Sequence, residues 1–422
     1  MTKLPLSLSL CAAAAAALVL YACGTDNGDA VHGPQFGPPP ERTDGGAADG
    51  SASGDGGGAP SDAASGPDAD AGSDADGASP ACAAGTVAVL AGSDAALSGA
   101  VQNKGGVWAG GAIAGGAARS APSLVAFGTG FVGLTRGASD VLQAVGYGTS
   151  WTAATAIGSL ETLGTPALTV LGTSVQAVVL SGGADPNKFF RIESSGGSWS
   201  TSPDPVAPPA GAQSFGPSVG TIAAAGSELV FAQNGSDEGL YVQKWSSATW
   251  SAAAAIVGAG TFAASAPPAL VGVDGKFDVV LLYADNTANH VIGYATRDAS
   301  SKAWSNVQVT QATAQTGEQL SVARISPTTL LVAYRGNDQR PYVMTGTLGA
   351  ASITWSVPAP LLADSSTVDG APAVAKGVCG DAAIAVFASG GQVKAVRQRT
   401  AGWTAPEAVT GTAGGRVSVA TR

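Results

Sequence analysis

The 422-residue chain carries 30 Asp and Glu against 20 Lys and Arg, a formal charge of −10, with charged residues at 12 %, hydrophobic residues at 45 % and 60 glycines. Two histidines are too few for a His-rich zinc site, and the lack of a basic stripe argues against nucleic acid. No cofactor is expected: with this much glycine, phosphate-cradling patterns arise by chance, and none opens a helix.

The chain begins with a targeting signal. Lys3 supplies a positive charge, Leu4 to Leu20 an apolar stretch, and the segment closes on Leu20, Tyr21, Ala22 and Cys23. That closing tetrad resembles the bacterial lipobox, in which a small residue precedes a cysteine that is lipidated and becomes the mature N-terminus. The resemblance implies a lipoprotein signal peptide over residues 1–22, a lipidated Cys23 and a membrane partner reached through the acyl chains. By the enterobacterial rule, Gly24 where an inner-membrane protein has Asp implies the outer membrane, with the protein facing the periplasm or the cell surface. A plain secretory signal cleaved after Ala22 is the alternative.

Residues 23–81 read as a tether of Gly, Ala, Ser, Asp and Pro. Such a composition cannot bury enough apolar surface to offset chain entropy, so disorder is expected. Ten Asp and Glu41 stand there against Arg42 alone, so the tether holds the chain's whole formal charge. The remainder is close to neutral. At this length a flexible linker spans roughly 40 Å root-mean-square, enough to hold a domain clear of an anionic membrane.

From residue 82 to 422 the chain repeats. Trp108, Trp151, Trp199, Trp250, Trp304, Trp355 and Trp403 recur at spacings of 43, 48, 51, 54, 51 and 48 residues. Every one but the first is followed by Ser or Thr, and an apolar residue stands five to seven places on: Ile113, Ile157, Val206, Ile256, Val309, Leu361 and Val409. Pro122, Pro166, Pro217, Pro268 and Pro372 each open a small-residue stretch that leads to a stronger β run such as "VVLLYA". Proline at the first residue of a strand removes no ladder donor. One period is therefore a small inner strand, an apolar second strand, an alternating third strand and an outer strand that carries the Trp. A period near fifty with four strands marks a β-propeller.

The ends complete the ring. "RVSVATR" at 416–422 reads as a lone inner strand, whereas residues 86–115 supply second, third and outer strands without an inner one. Pairing the two gives an all-β, seven-bladed propeller with no open seam. A six-bladed ring with a separate N-terminal strand group, or a pair of β-sandwiches, would be the alternatives. Cys82 and Cys379 hold the same place in neighbouring repeats, so a disulfide between them is expected, two buried thiols being the alternative.

The Trp turns "ESSGGSW" and "WSSATW" resemble the Asp-box turns of sialidase-like propellers, which implies a Trp that starts the outer strand and packs between blades. No repeat keeps the Asp. The family's Arg-Ile-Pro motif survives only as "FRIE" at Phe190 to Glu193, where Arg191 and Glu193 read as a solvated pair, so no catalytic residue is expected. His290 reads as an exposed turn residue.

Binding is then expected on the face that carries the turns between second and third strands and the connections from each outer strand to the next inner one. Asp140, Asp185, Asp237, Asp285 and Asp338 recur there with Arg136 and Arg335. Asp, Asn and Gly also serve tight turns as such. The candidate ligand residues are Arg136, Asp140, Asp237, Tyr283, Arg335, Asp338 and Tyr342. The expected function is non-enzymatic glycan binding by a monomer, with exposed rings at Tyr283, Tyr334 and Tyr342. A protein-interaction scaffold, which would show an apolar patch at the ring mouth, is the alternative, and a sialidase-like hydrolase is a third.

Overall fold

The computed structural model describes residues 87–422 apart from 103–105, 183–187, 207–219, 235–238, 257 and 259–266. The signal segment, the tether, Cys23, Cys82, Asp185, Pro217 and Asp237 lie outside the described residues.

Seven antiparallel sheets form a β-propeller. The inner strands of blades one to seven are Ser123–Phe127, Ala167–Leu171, Gly220–Ala225, Ala269–Gly272, Ser321–Ser326, Ala373–Lys376 and Arg416–Thr421. Pro122, Pro166, Pro268 and Pro372 each stand one residue ahead of such a strand, where a missing N–H costs the ladder nothing. Second strands lie between the flanking blades and are buried on both faces: every residue of Ser174–Leu180 and of Phe277–Ala284 is buried. Burial on both faces turns the alternating pattern of an antiparallel strand into a continuous apolar run.

Small residues at the inner strands let neighbouring blades approach. A Cβ on Gly272 would stand 2.4 Å from the carbonyl oxygen of Ala224 in the preceding blade. Hydroxyls stitch the same ring: the Val374 N–H donates to Ser321 Oγ at 3.0 Å, the Ala224 N–H to Thr169 Oγ1 at 3.3 Å, and Ser123 Oγ to the Pro166 carbonyl.

The seam closes as expected. Arg416–Thr421 pairs antiparallel with Val87–Ser93, from Val87 opposite Thr421 to Gly92 opposite Arg416. Seven apolar clusters among the described residues each span two neighbouring blades, including one that joins Leu90 and Leu97 of blade seven to Phe131 and Val145 of blade one. Every repeat Trp packs into the cluster shared with the preceding blade: Trp151 against blade seven, Trp199 against blade one, and so on round to Trp108 against blade six. The indole of Trp151 lies over Gly99, where a Cβ would come within 2.4 Å of the ring. The tryptophans are core, as the resemblance of their turns implied.

The outer strand is broken just after its Trp, and the Ser or Thr explains how the ladder survives. Its hydroxyl accepts an N–H from the third strand: Gly146 to Thr152 at 2.9 Å, Lys244 to Ser251 at 3.1 Å, Thr296 to Ser305 at 3.0 Å, Thr345 to Ser356 at 2.9 Å and Arg397 to Thr404 at 3.0 Å. A side-chain oxygen stands where a backbone carbonyl would otherwise serve. Changing Thr404 to Val keeps the branched shape and removes this acceptor, so a loss of about 1 kcal/mol is expected in chemical denaturation. A midpoint unchanged from the wild type would remove the hydroxyl from this role.

After the break the chain returns to the third strand with an apolar residue whose N–H closes the ladder, as at Ile113, Val206, Ile256 and Leu361. Blade four departs from the spacing. Val309 is 60 % exposed, and its neighbour Thr310, 7 % exposed, occupies the inward position and donates both N–H and Oγ1 to the Ile292 carbonyl. A one-residue slip exchanges the two faces of a strand, and here the hydroxyl's bond makes the polar residue acceptable inside.

Candidate functional site

The inner strands and the described chain that leads into them, with the second-to-third turn of blade seven, surround a cavity of about 1030 Å³ lined from all seven blades. Its wall is largely small: Ser93, Ser120 and Thr165 with backbone, together with Pro268 and the half-exposed Leu163. Asp94, Glu318, Asp369 and Arg416 supply its charges.

These charges are unevenly satisfied. Arg416 donates to Asp94 at 2.7 Å and to the Ala118 carbonyl at 2.9 Å, and this hydrogen bond, with the Arg416 charge, holds the Asp94 carboxyl below the usual range. Glu318 pairs with Arg335. Asp369 Oδ2 accepts the Gly391 N–H at 3.0 Å, and no basic side chain pairs with it among the described residues. Among those residues, no three of His, Cys, Asp and Glu come close enough together to hold a metal ion.

None of the described residues singled out by sequence as ligand candidates lines this cavity; Arg136 and Arg335 brace residues that do, Leu163 and Glu318. Arg136 Nε donates to Asp140 Oδ1 at 2.9 Å, Arg119 meets the same oxygen at 2.6 Å, and Arg136 also reaches the Leu163 carbonyl at 2.7 Å. Arg335 spends a guanidinium nitrogen on Glu318. Asp338 accepts the Tyr342 hydroxyl at 2.8 Å and the Arg340 N–H at 3.1 Å. The expected exposed rings are not found at two of the three tyrosines. Tyr283 and Tyr334 are 3 % and 1 % exposed, because their strand positions face neighbouring blades, and Tyr342 stacks on Tyr334 at 5.8 Å. Burial, then the charge of Asp285, pushes the Tyr283 hydroxyl up to about 12. His290 is half-buried, with Nδ1 3.0 Å from the Asp285 carbonyl oxygen.

Sequence reasoning missed the cavity's own carboxylates. Their signal was positional: Glu318 and Asp369 stand just ahead of inner strands, a place the repeat defines as surely as it defines the prolines. It also misjudged Arg191, which is 4 % exposed rather than solvated. The guanidinium lies 3.8 Å over the Trp245 ring of the next blade and binds Asp204 at 2.5 Å and Glu193 at 2.6 Å. Burial of Glu193 opposes its charge, but hydrogen bonds from Ser174 and Arg191 outweigh that and hold the carboxyl low. Arg297 and Arg397 are buried in the same way between blades. Arg397 bridges Asp381 at 3.0 Å and Glu407 at 2.8 Å, and Glu407 also accepts the Trp108 indole N–H at 2.9 Å, locking blade six to blade seven.

No family model and no curated protein matches the chain. Among solved structures it is similar to the SapL1 lectin in complex with α-methyl fucoside at 14 % identity and a TM-score of 0.47, covering 71 % of this chain and 98 % of that one. The Aleuria aurantia lectin, a six-bladed β-propeller, gives 15 % identity and a TM-score of 0.47 over 69 % of this chain and 96 % of the lectin. A NanB structure with Optactamide gives 10 % and 0.46 over 64 % of this chain and 65 % of that one. At such scores these likenesses assign this chain neither ligand nor activity.

Proposed function

We propose that the protein binds a glycan in the cavity at the ring mouth. The observation that carries this reading is the cavity itself: an open space of about 1030 Å³ lined from all seven blades by backbone, hydroxyls and small apolar side chains. A wall of hydroxyl, amide and carboxylate groups over small apolar residues suits a polyol, whose hydroxyls exchange water for such partners. Among the described residues, the large apolar side chains that stand exposed are Val107, Leu163, Val309 and Val357, and of these only Leu163 lies at the mouth, which disfavours the scaffold reading. The Trp turns support descent from sialidase-like propellers, but the Arg-Ile-Pro motif survives only at Phe190 to Glu193, where Arg191 is engaged by Asp204 and Glu193, and we infer no hydrolysis.

A glycan array probed with the full chain tests the reading. An Ala371→Trp variant, whose indole would fill the cavity from its rim, is expected to weaken any retained glycan about tenfold or more. A glycan held equally by both proteins would place binding elsewhere.

We further propose that Cys23 carries the lipid anchor, that the protein resides in the outer membrane, and that Cys82 bonds to Cys379, which sits in the turn before Ala383–Ser389 with φ of 61°. Intact-mass analysis of the membrane fraction without reduction should show the acyl mass and no free thiol. An unacylated protein that alkylates at Cys23, Cys82 and Cys379 would overturn both assignments.

A further inference from the structure

A second hollow, of about 260 Å³, lies on the flank of the ring between blades four and five. Among the described residues no aromatic ring lines the central cavity, whereas Phe277, Tyr294 and Trp304 line this one with Asp298, Gln308 and Ser352. The turns explain why it stands here. The outer-strand Trp pairs with a third-strand residue four to six positions back in five blades: Tyr147 with Trp151, Ser194 with Trp199, Trp245 with Trp250, Gln398 with Trp403 and Gln102 with Trp108. In blade four the pair is Arg297 with Trp304, seven apart, and in blade five Gly346 with Trp355, nine apart. The two longest turns therefore fall on neighbouring blades. Asp298 and Trp304 stand on one side of the hollow, Ala351 and Ser352 on the other.

The wall is set by its own bonds. Asp298 Oδ1 accepts the N–H groups of Ser300 and Ser301 at 2.9 and 2.8 Å, and Lys276 pairs with the same carboxylate, so the rim carries no unbalanced charge. Tyr294, 3 % exposed, donates its hydroxyl to Gln308 Oε1 at 2.5 Å. That bond occupies the amide oxygen of an exposed side chain, and among the described residues no acceptor takes its two Nε2 hydrogens. The Trp304 indole is half-buried, which leaves part of its surface to a ligand. An aromatic surface beside amide and hydroxyl groups suits a pyranose, whose C–H face lies on a ring while its hydroxyls take the polar partners. The volume falls below the roughly 300–1,000 Å³ of sites for larger ligands, so one sugar ring fits and a chain does not. We propose that this hollow holds a single neutral pyranose residue. The third-to-outer turns lie at the end of the ring opposite the mouth, because successive strands of a blade alternate in direction, so this site is separate from the central cavity and stands without it.

The test follows the Trp304 indole N–H signal by two-dimensional NMR of the ¹⁵N-labelled full chain, the signal being assigned by its loss in Trp304→Phe. Methyl glycosides of glucose, galactose, mannose and N-acetylglucosamine are added one at a time up to about 50 mM, since a single ring is expected to bind with a Kd of about 1–10 mM. At least one should shift the signal to saturation. Ser352→Trp, whose indole would fill the hollow, should abolish that shift while the other indole signals stay in place, and Gln308→Ala, a milder change, should weaken it about threefold to tenfold. Ala371→Trp, at the other end of the ring, should leave it unaltered. No shift with any glycoside, a shift that survives both Ser352→Trp and Gln308→Ala at full affinity, or one that Ala371→Trp removes would overturn the site. The glycan reading of the central cavity is decided by the array and Ala371→Trp, so either reading can fall alone.

Discussion

Removing residues 416–422 is expected to abolish cooperative folding of the ring. The lost segment is the inner strand of blade seven, paired with Val87–Ser93 over six residue pairs, and it buries Val417, Val419 and Ala420 to 6, 8 and 7 % exposure. Burying a valine side chain contributes about 1.5–3 kcal/mol, and each ladder hydrogen bond adds about 1 kcal/mol. The sum rivals the whole margin of a folded domain, about 5–15 kcal/mol. Two inter-blade clusters would also open, because Val417 and Val419 pack towards blade six and Ala420 towards blade one. The truncated chain should show no sharp denaturation transition and should bind a hydrophobic dye, and a synthetic peptide of residues 416–422 should restore part of the transition. A truncated protein with an unchanged, sharp midpoint would show that closure is dispensable.

Arg297→Met is expected to cost about 3–5 kcal/mol, the range for removing one partner of a buried ion pair. Arg297 is 2 % exposed; its Nε and Nη2 donate to the two oxygens of Asp278 at 2.8 Å each, and Nη2 lies 3.2 Å from Glu228 of the preceding blade. Lys302 adds a contact to Asp278 at 2.6 Å. Methionine fills the space but leaves two carboxylates facing each other. Replacing all three groups at once, with Glu228→Met and Asp278→Leu added, should recover much of the loss, since an apolar set of like volume carries no desolvation cost. A single variant as stable as the parent would show that the cluster is solvated after all.

The same cluster sets a pH dependence. Burial alone would raise the Asp278 carboxyl, yet the hydrogen bonds from Arg297 and Lys302 outweigh it and hold the carboxyl below its usual range. A carboxylate depressed in the folded state stabilises fully above its unfolded value near 3.9 and ceases to do so as pH falls through the folded value. Wild-type stability should therefore decline only below about pH 4. In Arg297→Met, where burial is less opposed, the Asp278 carboxyl is less depressed and contributes less, so stability should fall less steeply below about pH 4 than in the wild type.

How much of this was legible beforehand differs element by element. The Trp period and the Ser or Thr that follows it stood in the sequence because each performs the same task in every blade: the indole fills a wedge and the hydroxyl replaces a ladder acceptor. Repetition makes a local rule visible. Val309 misled because one slipped residue leaves the spacing intact while it exchanges the faces. Tyr283 misled because a polar turn follows it, although its own ring packs against the preceding blade. Arg191 misled because a pair two residues apart looks like any surface pair until Trp245, from another repeat, covers it.

The repeat, the order of strands within it and the shared final blade can be read along the chain, since these depend on local periodicity and on which repeat lacks its inner strand. Where the charges fall depends on closure of the ring. Asp94, Glu318 and Asp369 are 224 and 51 residues apart along the chain, yet the closed ring sets them on three consecutive blades around one cavity. Composition records a domain of balanced charge, and composition has no direction. Folding into a circle gives it one, because alternate turns of each blade are carried to opposite ends of the same axis.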